Sequence, residues 1–153
     1  MTHDSRWRLD GRTALVTGAS RGIGLACARE LATLGADVLL VARDEAQLEQ
    51  VRAELSEEFP QRNIAACDAD LVSPEQRLEV FDWIADLGVE LSILVNNVGA
   101  NERKSALDYT LDEIRALIDA NVLCAFEMCR LAHTQLAEHG HAADHRPGDQ
   151  GEA

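Results

Sequence analysis

The chain reads as an α/β domain, a doubly wound parallel sheet of about four strands with flanking helices. Two observations predict that class. Short runs rich in Val, Leu, Ile and Ala alternate with longer segments whose apolar residues recur every three or four positions. A glycine-rich stretch, T-G-A-S-R-G-I-G at 17–24, joins the first run to the first such segment. With 153 residues, 46% of them hydrophobic, the chain has enough material for one buried core and too little for two full domains.

The elements follow in order. Residues 13–16 form a buried strand that ends at Thr-Gly. Ile23, Cys27, Leu31 and Leu34 then recur at helical spacing and predict the inward stripe of a first helix, with Gly35 placed where helices end. Residues 38–42 are continuous apolar strand. Asp44 suits the cap of a second helix carrying Leu48, Val51 and Leu55 inward, stopped by Pro60, and 64–67 is a weaker third strand. Pro74 stands in the first turn of a third helix with a stripe of Val80, Ile84 and Leu87, and 91–95 is the fourth strand. From Thr110 a helical pattern runs through Leu111, Ile114 and Ile118 to Val122, Leu123, Cys124, Phe126, Met128, Cys129 and Leu131, apolar nearly all round. Such a helix needs cover on more than one side, from its own core or from a second subunit. Beyond Glu138 no Leu, Ile, Val, Phe or Met remains, so residues 1–138 are expected to form the domain and 139–153 a disordered polar tail.

Charge excludes some functions. Fourteen Lys and Arg against 27 Asp and Glu leave a formal net charge of −13, which repels phosphate backbones and anionic bilayers, so nucleic acid is excluded as a partner. There is no apolar run of the ~18 residues that a membrane span needs, and the N-terminus has no apolar signal core, so no membrane and a cytoplasmic location are expected. Cys27, Cys67, Cys124 and Cys129 lie among apolar neighbours without C-x-x-C spacing and read as buried free thiols. His139, His141 and His145 belong to the polar tail and imply no metal site.

The glycine-rich turn carries the chemistry. Gly18 permits a tight turn, Gly22 lets backbone N–H groups approach a pyrophosphate, and Gly24 lets the helix pack on the strand, with Ser20, Arg21 and Ile23 between them. The spacing is G-x-x-x-G-x-G rather than G-x-G-x-x-G. An ordinary Gly-rich connection is the alternative, but the strand before it and the helix after it are what a dinucleotide site requires. A cofactor with a free ribose 2′-hydroxyl usually meets Asp or Glu at the end of the second strand. Here Ala42 stands there, followed by Arg43, with Arg21 in the turn. Two guanidinium groups at the place of a 2′-phosphate predict NADP(H) over NAD(H).

Together with V-A-R at 41–43, Asp70-Leu71 and N-N-V-G-A at 96–100, this turn resembles the short-chain dehydrogenase/reductase family, and its tropinone-reductase-like group, over about residues 9–138. The resemblance implies a Rossmann-type fold, incomplete after its fourth strand. It implies that Asp70 and Leu71 contact adenine, although Asp70 also suits a helix-flanking turn. It places Asn97 and Gly99 along the cofactor ribose, has Asn96 tie strands together, and gives Asn121 a water of the proton relay, a helix-bending hydrogen bond being the other use for that residue. Val98 replaces the commoner Ala. In this family a Ser and a Tyr-x-x-x-Lys pair, on the fifth strand and the next helix, complete carbonyl reduction. The only tyrosine here is Tyr109, followed four positions later by Glu113, and the only lysine is Lys104. The resemblance therefore implies the cofactor-binding half of a ketone/alcohol oxidoreductase, inactive as written and derived from a truncated or frame-shifted reductase gene. The alternative is a dinucleotide-binding or interaction module that joins a second copy or a full-length paralogue through its last helix and exposed fourth strand.

Overall fold

The computed structural model describes residues 7–139. Four strands, β1 (Thr13–Thr17), β2 (Asp37–Ala42), β3 (Ile64–Asp68) and β4 (Leu91–Val95), form one sheet in the order β3-β2-β1-β4, with every pair parallel. All five residues of β1 are buried, as a strand covered on both faces must be. The chain steps outward from β1 to β2 and β3, then returns to place β4 on the other side of β1. The crevice at this reversal is where open α/β sheets present their ligand site.

Helices cover both faces. On one, α1 (Gly22–Leu34) and α2 (Glu45–Glu58) bury Ala28, Leu48 and Leu55 against Val16, Val38 and Leu40. On the other, α3 (Pro74–Leu87) and the last helical segment bury Val80, Ile84 and Met128 against Leu15, Leu39 and Val41. Alternate residues of each strand thus feed opposite cores. Side chains cap three of the helices: Asp44 accepts from Gln47 N, Ser73 from Gln76 N, and Thr110 from Glu113 N.

Several details depart from the apolar pattern. In α1 the buried residues are Gly24, Ala28 and Ala32, one position beyond the predicted stripe, and Ile23 is 75% exposed. Small side chains let the helix lie close to β1, which leaves the larger ones at its flanks. In α3 the inward line is Arg77, Val80 and Ile84, while Leu87 is exposed at the helix end. All four cysteines are free thiols, but only Cys124 is buried and Cys129 is exposed. His139 is not part of a tail: it closes the last helix, and its carbonyl accepts from Arg12 at 2.7 Å. His141, His145 and the rest of the expected tail lie outside the described residues. No helix among the described residues is long and apolar enough to cross a membrane.

The last helical segment comprises α4 (Leu111–Ile118), a π-turn at Asp119–Leu123, and α5 (Cys124–His139). Ala120, Cys124, Met128 and Ala132 are its buried line, four residues apart. Its other flank exposes Leu111, Ile118, Val122 and Phe126, the last by 65%. Cover on more than one side is therefore absent among the described residues.

The first turn of α4 is electrostatically set. Glu113 accepts from Thr110 N and from the Thr110 hydroxyl, and Lys104 pairs with it at 2.5 Å. Lys104 first, then Thr110, hold the Glu113 carboxyl down from 4.5 to about 2. A depressed folded-state value means that this support is complete above the unfolded value and is lost as pH falls through the folded one. Acidification from pH 4.5 toward 2 is expected to loosen α4 before the sheet. Amide exchange followed by NMR checks this, and simultaneous loss of α4 and β1 would contradict it.

Candidate functional site

The site is built where β1 stops. Gly18 (φ 62°) and Gly22 (φ 58°) both take the left-handed backbone conformation that disfavours side chains. Between them the chain turns into α1, whose N-cap, Arg21, makes no capping hydrogen bond, and whose first turn carries no acidic residue. The orphan N–H groups of that turn are open to an external anion. Gly24 has a different task. A Cβ there would lie 2.2 Å from the Gly18 carbonyl oxygen, so only glycine allows α1 to close on the turn.

A latch holds β4 beside this turn. The Thr17 hydroxyl donates to Val95 O at 3.2 Å and accepts from Asn97 N at 2.9 Å and Val98 N at 3.2 Å. The Asn97 amide donates to Thr17 O and Gly18 O at 3.2 and 3.1 Å. Asn96 faces the other way and ties the end of β4 to Ala125 O and the Cys129 sulfur on α5. Asn121, presented by the π-turn, clasps the next stretch: Oδ1 accepts from Ala100 N at 3.1 Å, while Nδ2 donates to Ala100 O at 2.7 Å and Leu117 O at 2.8 Å. A Cβ on Gly99 would come within 2.8 Å of Asn121 Oδ1.

These elements border an open cleft of about 880 Å³. Of the residues expected there, Gly18, Ser20, Arg21, Gly22 and Ile23 line one side. Arg43 lines the end of β2, and Asp70, Leu71, Asn97 and Gly99 line the remainder. Gly24 and Asn121 stand behind the wall, the first as a packing contact and the second as a clasp whose amide is engaged at both ends. Asp70 lines the cleft and also closes its own turn, its Oδ1 accepting from Val72 N at 3.1 Å and its N–H donating to Gln76 Oε1 at 2.7 Å. Ala42, Asp44, Gln47, Val72, Val98, Ala100 and Ala120 complete the described lining; of these Asp44 was read only as a cap, and Gln47, Val72 and Ala120 were not singled out in the sequence. Thr17 was read as the start of the glycine-rich stretch, with no role for its hydroxyl. A hydroxyl in a buried strand next to Gly18 was the available signal.

Two arginines of the cleft stand apart from most of the others, although Arg103, outside the cleft, also lacks an ion pair among the described residues. Arg8, Arg29, Arg52, Arg62, Arg77, Arg115 and Arg130 pair with carboxylates. Arg21 and Arg43 are exposed, and neither has an ion-pair partner among the described residues. The carboxylate of nearby Asp44 accepts from Gln47 N at 3.0 Å in capping α2.

Fold and cleft together define a Rossmann-type α/β domain. Residues 12–143 match the family model described as short chain dehydrogenase, and the chain belongs to that family. Its relatives include Senescence-associated protein 13 and a tropinone reductase homolog, both from Arabidopsis thaliana. Each is 41% identical over 138 residues, which is 90% of this chain and 51% or 52% of the relative. Among solved structures, the Pseudomonas aeruginosa RhlG/NADP active-site complex superposes with a TM-score of 0.84 at 30% identity, over 92% of this chain and 54% of that one. L-sorbose reductase from Gluconobacter frateurii, complexed with NADPH and L-sorbose, gives 0.82 at 26% identity, over 86% and 50%. The chain spans about half the length of the curated relatives it matches.

The glycine geometry predicts two separable effects. Gly24→Ala is expected to lower unfolding free energy by about 2 kcal/mol through overpacking. Gly22→Ala, with open space around it but a positive φ, should cost about 1 kcal/mol. Urea denaturation checks both, and equal stabilities for Gly24→Ala and the parent chain would contradict the packing argument.

Proposed function

We propose that this chain is an NADP(H)-binding domain of a short-chain reductase acting on a ketone/alcohol pair, and that these 153 residues bind the cofactor without completing the reaction. One observation carries the reading. In a chain of net charge −13, unpaired Arg21 and Arg43 converge on the cleft formed by the glycine turn. The solved relatives complexed with NADP and NADPH support it.

The residues fit such a ligand. The turn from Gly18 to Gly22 and the uncapped start of α1 receive the pyrophosphate, and Arg21 and Arg43 receive the 2′-phosphate by charge-assisted hydrogen bonds. Asp70, Leu71 and Val72 wall the adenine, while Asn97 and Gly99 lie along the ribose. When bound, the nicotinamide supplies a hydride. Among the described residues lining the cleft, none is a Tyr or Lys to deliver the proton. The Tyr109 hydroxyl donates to Glu102 O, Lys104 is paired with Glu113, and neither lines the cleft. Asn121 could serve a relay only beside a Tyr–Lys pair. We assign residues 1–138, with His139 ending the last helix, to the binding domain and the chain to the cytoplasm.

The alternative of an interaction module draws on the uncovered flank of α4 and α5. On that reading a second copy or a full-length paralogue covers Ile118, Val122 and Phe126. Light scattering of the double variant Val122→Glu/Phe126→Glu should then show a smaller particle than the parent chain, with unchanged cofactor affinity. A monomeric parent chain at high concentration would remove this reading.

The cofactor assignment is tested by calorimetry with NADPH and NADH. NADPH is expected to bind more tightly, and Arg43→Ala to weaken it about tenfold while leaving NADH unaffected. Equal affinities, or a preference for NADH, would sink the assignment. Hydride transfer from NADPH to any carbonyl in a broad panel would sink the claim of incompetence.

A further inference from the structure

Burying a guanidinium is costly unless its charge is paired and its N–H groups are satisfied. Arg77 in the first turns of α3 is only 5% exposed. Its Nη1 donates to Leu71 O at 2.6 Å and Val72 O at 3.2 Å, while Nε and Nη2 reach Glu127 Oε2 on α5 at 2.9 and 2.7 Å. Gln76, one residue earlier, receives Asp70 N.

The acceptors indicate the use of this arrangement. Leu71 and Val72 belong to the loop between β3 and α3, and both line the cleft. Asp70 N, Leu71 O, Val72 N and Val72 O are all bonded within the loop or to α3. A leucine or methionine at position 77 would fill the space and leave two carbonyls without Arg77 as donor. Packing alone therefore does not explain a charge between the helix and the sheet.

We propose that Arg77 is a positioning residue that fixes the adenine wall of the cleft by its two carbonyl bonds, with Glu127 holding the guanidinium in place from α5. This rests on the dinucleotide reading above. The wall is preorganised in the free protein, so binding does not have to order it. Arg77 touches no ligand itself and acts through Leu71 and Val72.

The test uses the full chain and the variants Arg77→Met, Arg77→Lys and Glu127→Gln. NADPH and 2′,5′-ADP are titrated well below each melting temperature, and amide exchange at Val72 is followed without ligand. Arg77→Met should weaken both ligands by the same factor, about tenfold, and speed exchange at Val72. Arg77→Lys should recover part of the loss, and Glu127→Gln should lose about threefold. A lowered melting temperature with unchanged affinities would overturn the proposal, because it marks a purely structural pair. If Arg77→Met does not fold, Arg77→Lys and Glu127→Gln decide by the same measures. If the parent chain binds neither ligand, the dinucleotide reading fails instead. The clamp is then judged by exchange at Val72, and unchanged rates in both milder variants would overturn it.

Discussion

The closeness of α1 to the end of β1 is the constraint on which the cleft depends. Gly24 leaves no room for a methyl group against the Gly18 carbonyl, and this contact sets where the helix begins and where its orphan N–H groups lie. Gly18 itself is hemmed by the Asn97 amide, which would stand 2.8 Å from a Cβ there. Asn97 in turn is held by Thr17. Turn, helix start and β4 are therefore positioned as one unit, and a shift of any of them moves the anion site.

Electrostatics then decides what this unit can bind. A net charge of −13 opposes any anionic ligand at long range. Salt screens exposed charges beyond about 8 Å at physiological ionic strength, so the distant carboxylates count for little against guanidinium groups beside the ligand. Asp44, which follows Arg43 in the chain and lines the same cleft, has one oxygen engaged in capping α2. The described lining carries two guanidinium groups and two carboxylates, Asp44 and Asp70, so an anion is favoured at Arg21 and Arg43 and not throughout the cleft. The long-range charge bears more on association rates and on excluding polyanions such as nucleic acid.

Strands were legible because parallel strands covered on both faces are continuous apolar runs, as β1 and most of β2 are, whereas the edge strand β4 was read from its apolar residues although most of it is only half-buried. The helix stripes were less so. Apolar periodicity favours large side chains, whereas α1 packs by Gly24, Ala28 and Ala32, which carry little hydrophobic signal. One side of the cleft was legible from the glycine turn, since Gly18 and Gly22 announce a backbone geometry directly, and much of the rest from V-A-R, Asp70-Leu71 and N-N-V-G-A. Arg77 was hidden for the opposite reason: a charged residue in a helix reads as solvent-facing, and nothing short of the loop carbonyls reveals its use. Asn121 was noticed as a polar residue in an apolar helix, but its partner, the Ala100 backbone, lies 21 residues away in sequence.

Binding and chemistry separate cleanly in this architecture. On the proposed reading, affinity for a dinucleotide comes from the C-terminal ends of β1 to β4, from the start of α1 and from two side-chain charges, all within the described residues. Turnover needs in addition a proton donor poised over the nicotinamide, a group that adds to transition-state stabilisation and little to ground-state binding. Removing such a group leaves the cofactor contacts intact. On the proposed reading, binding without reduction is a coherent state for these residues, because the described lining of the cleft holds no tyrosine. Asp70 and Asp44 are the carboxylates among the described residues of its lining, and each has an oxygen that accepts from a backbone N–H.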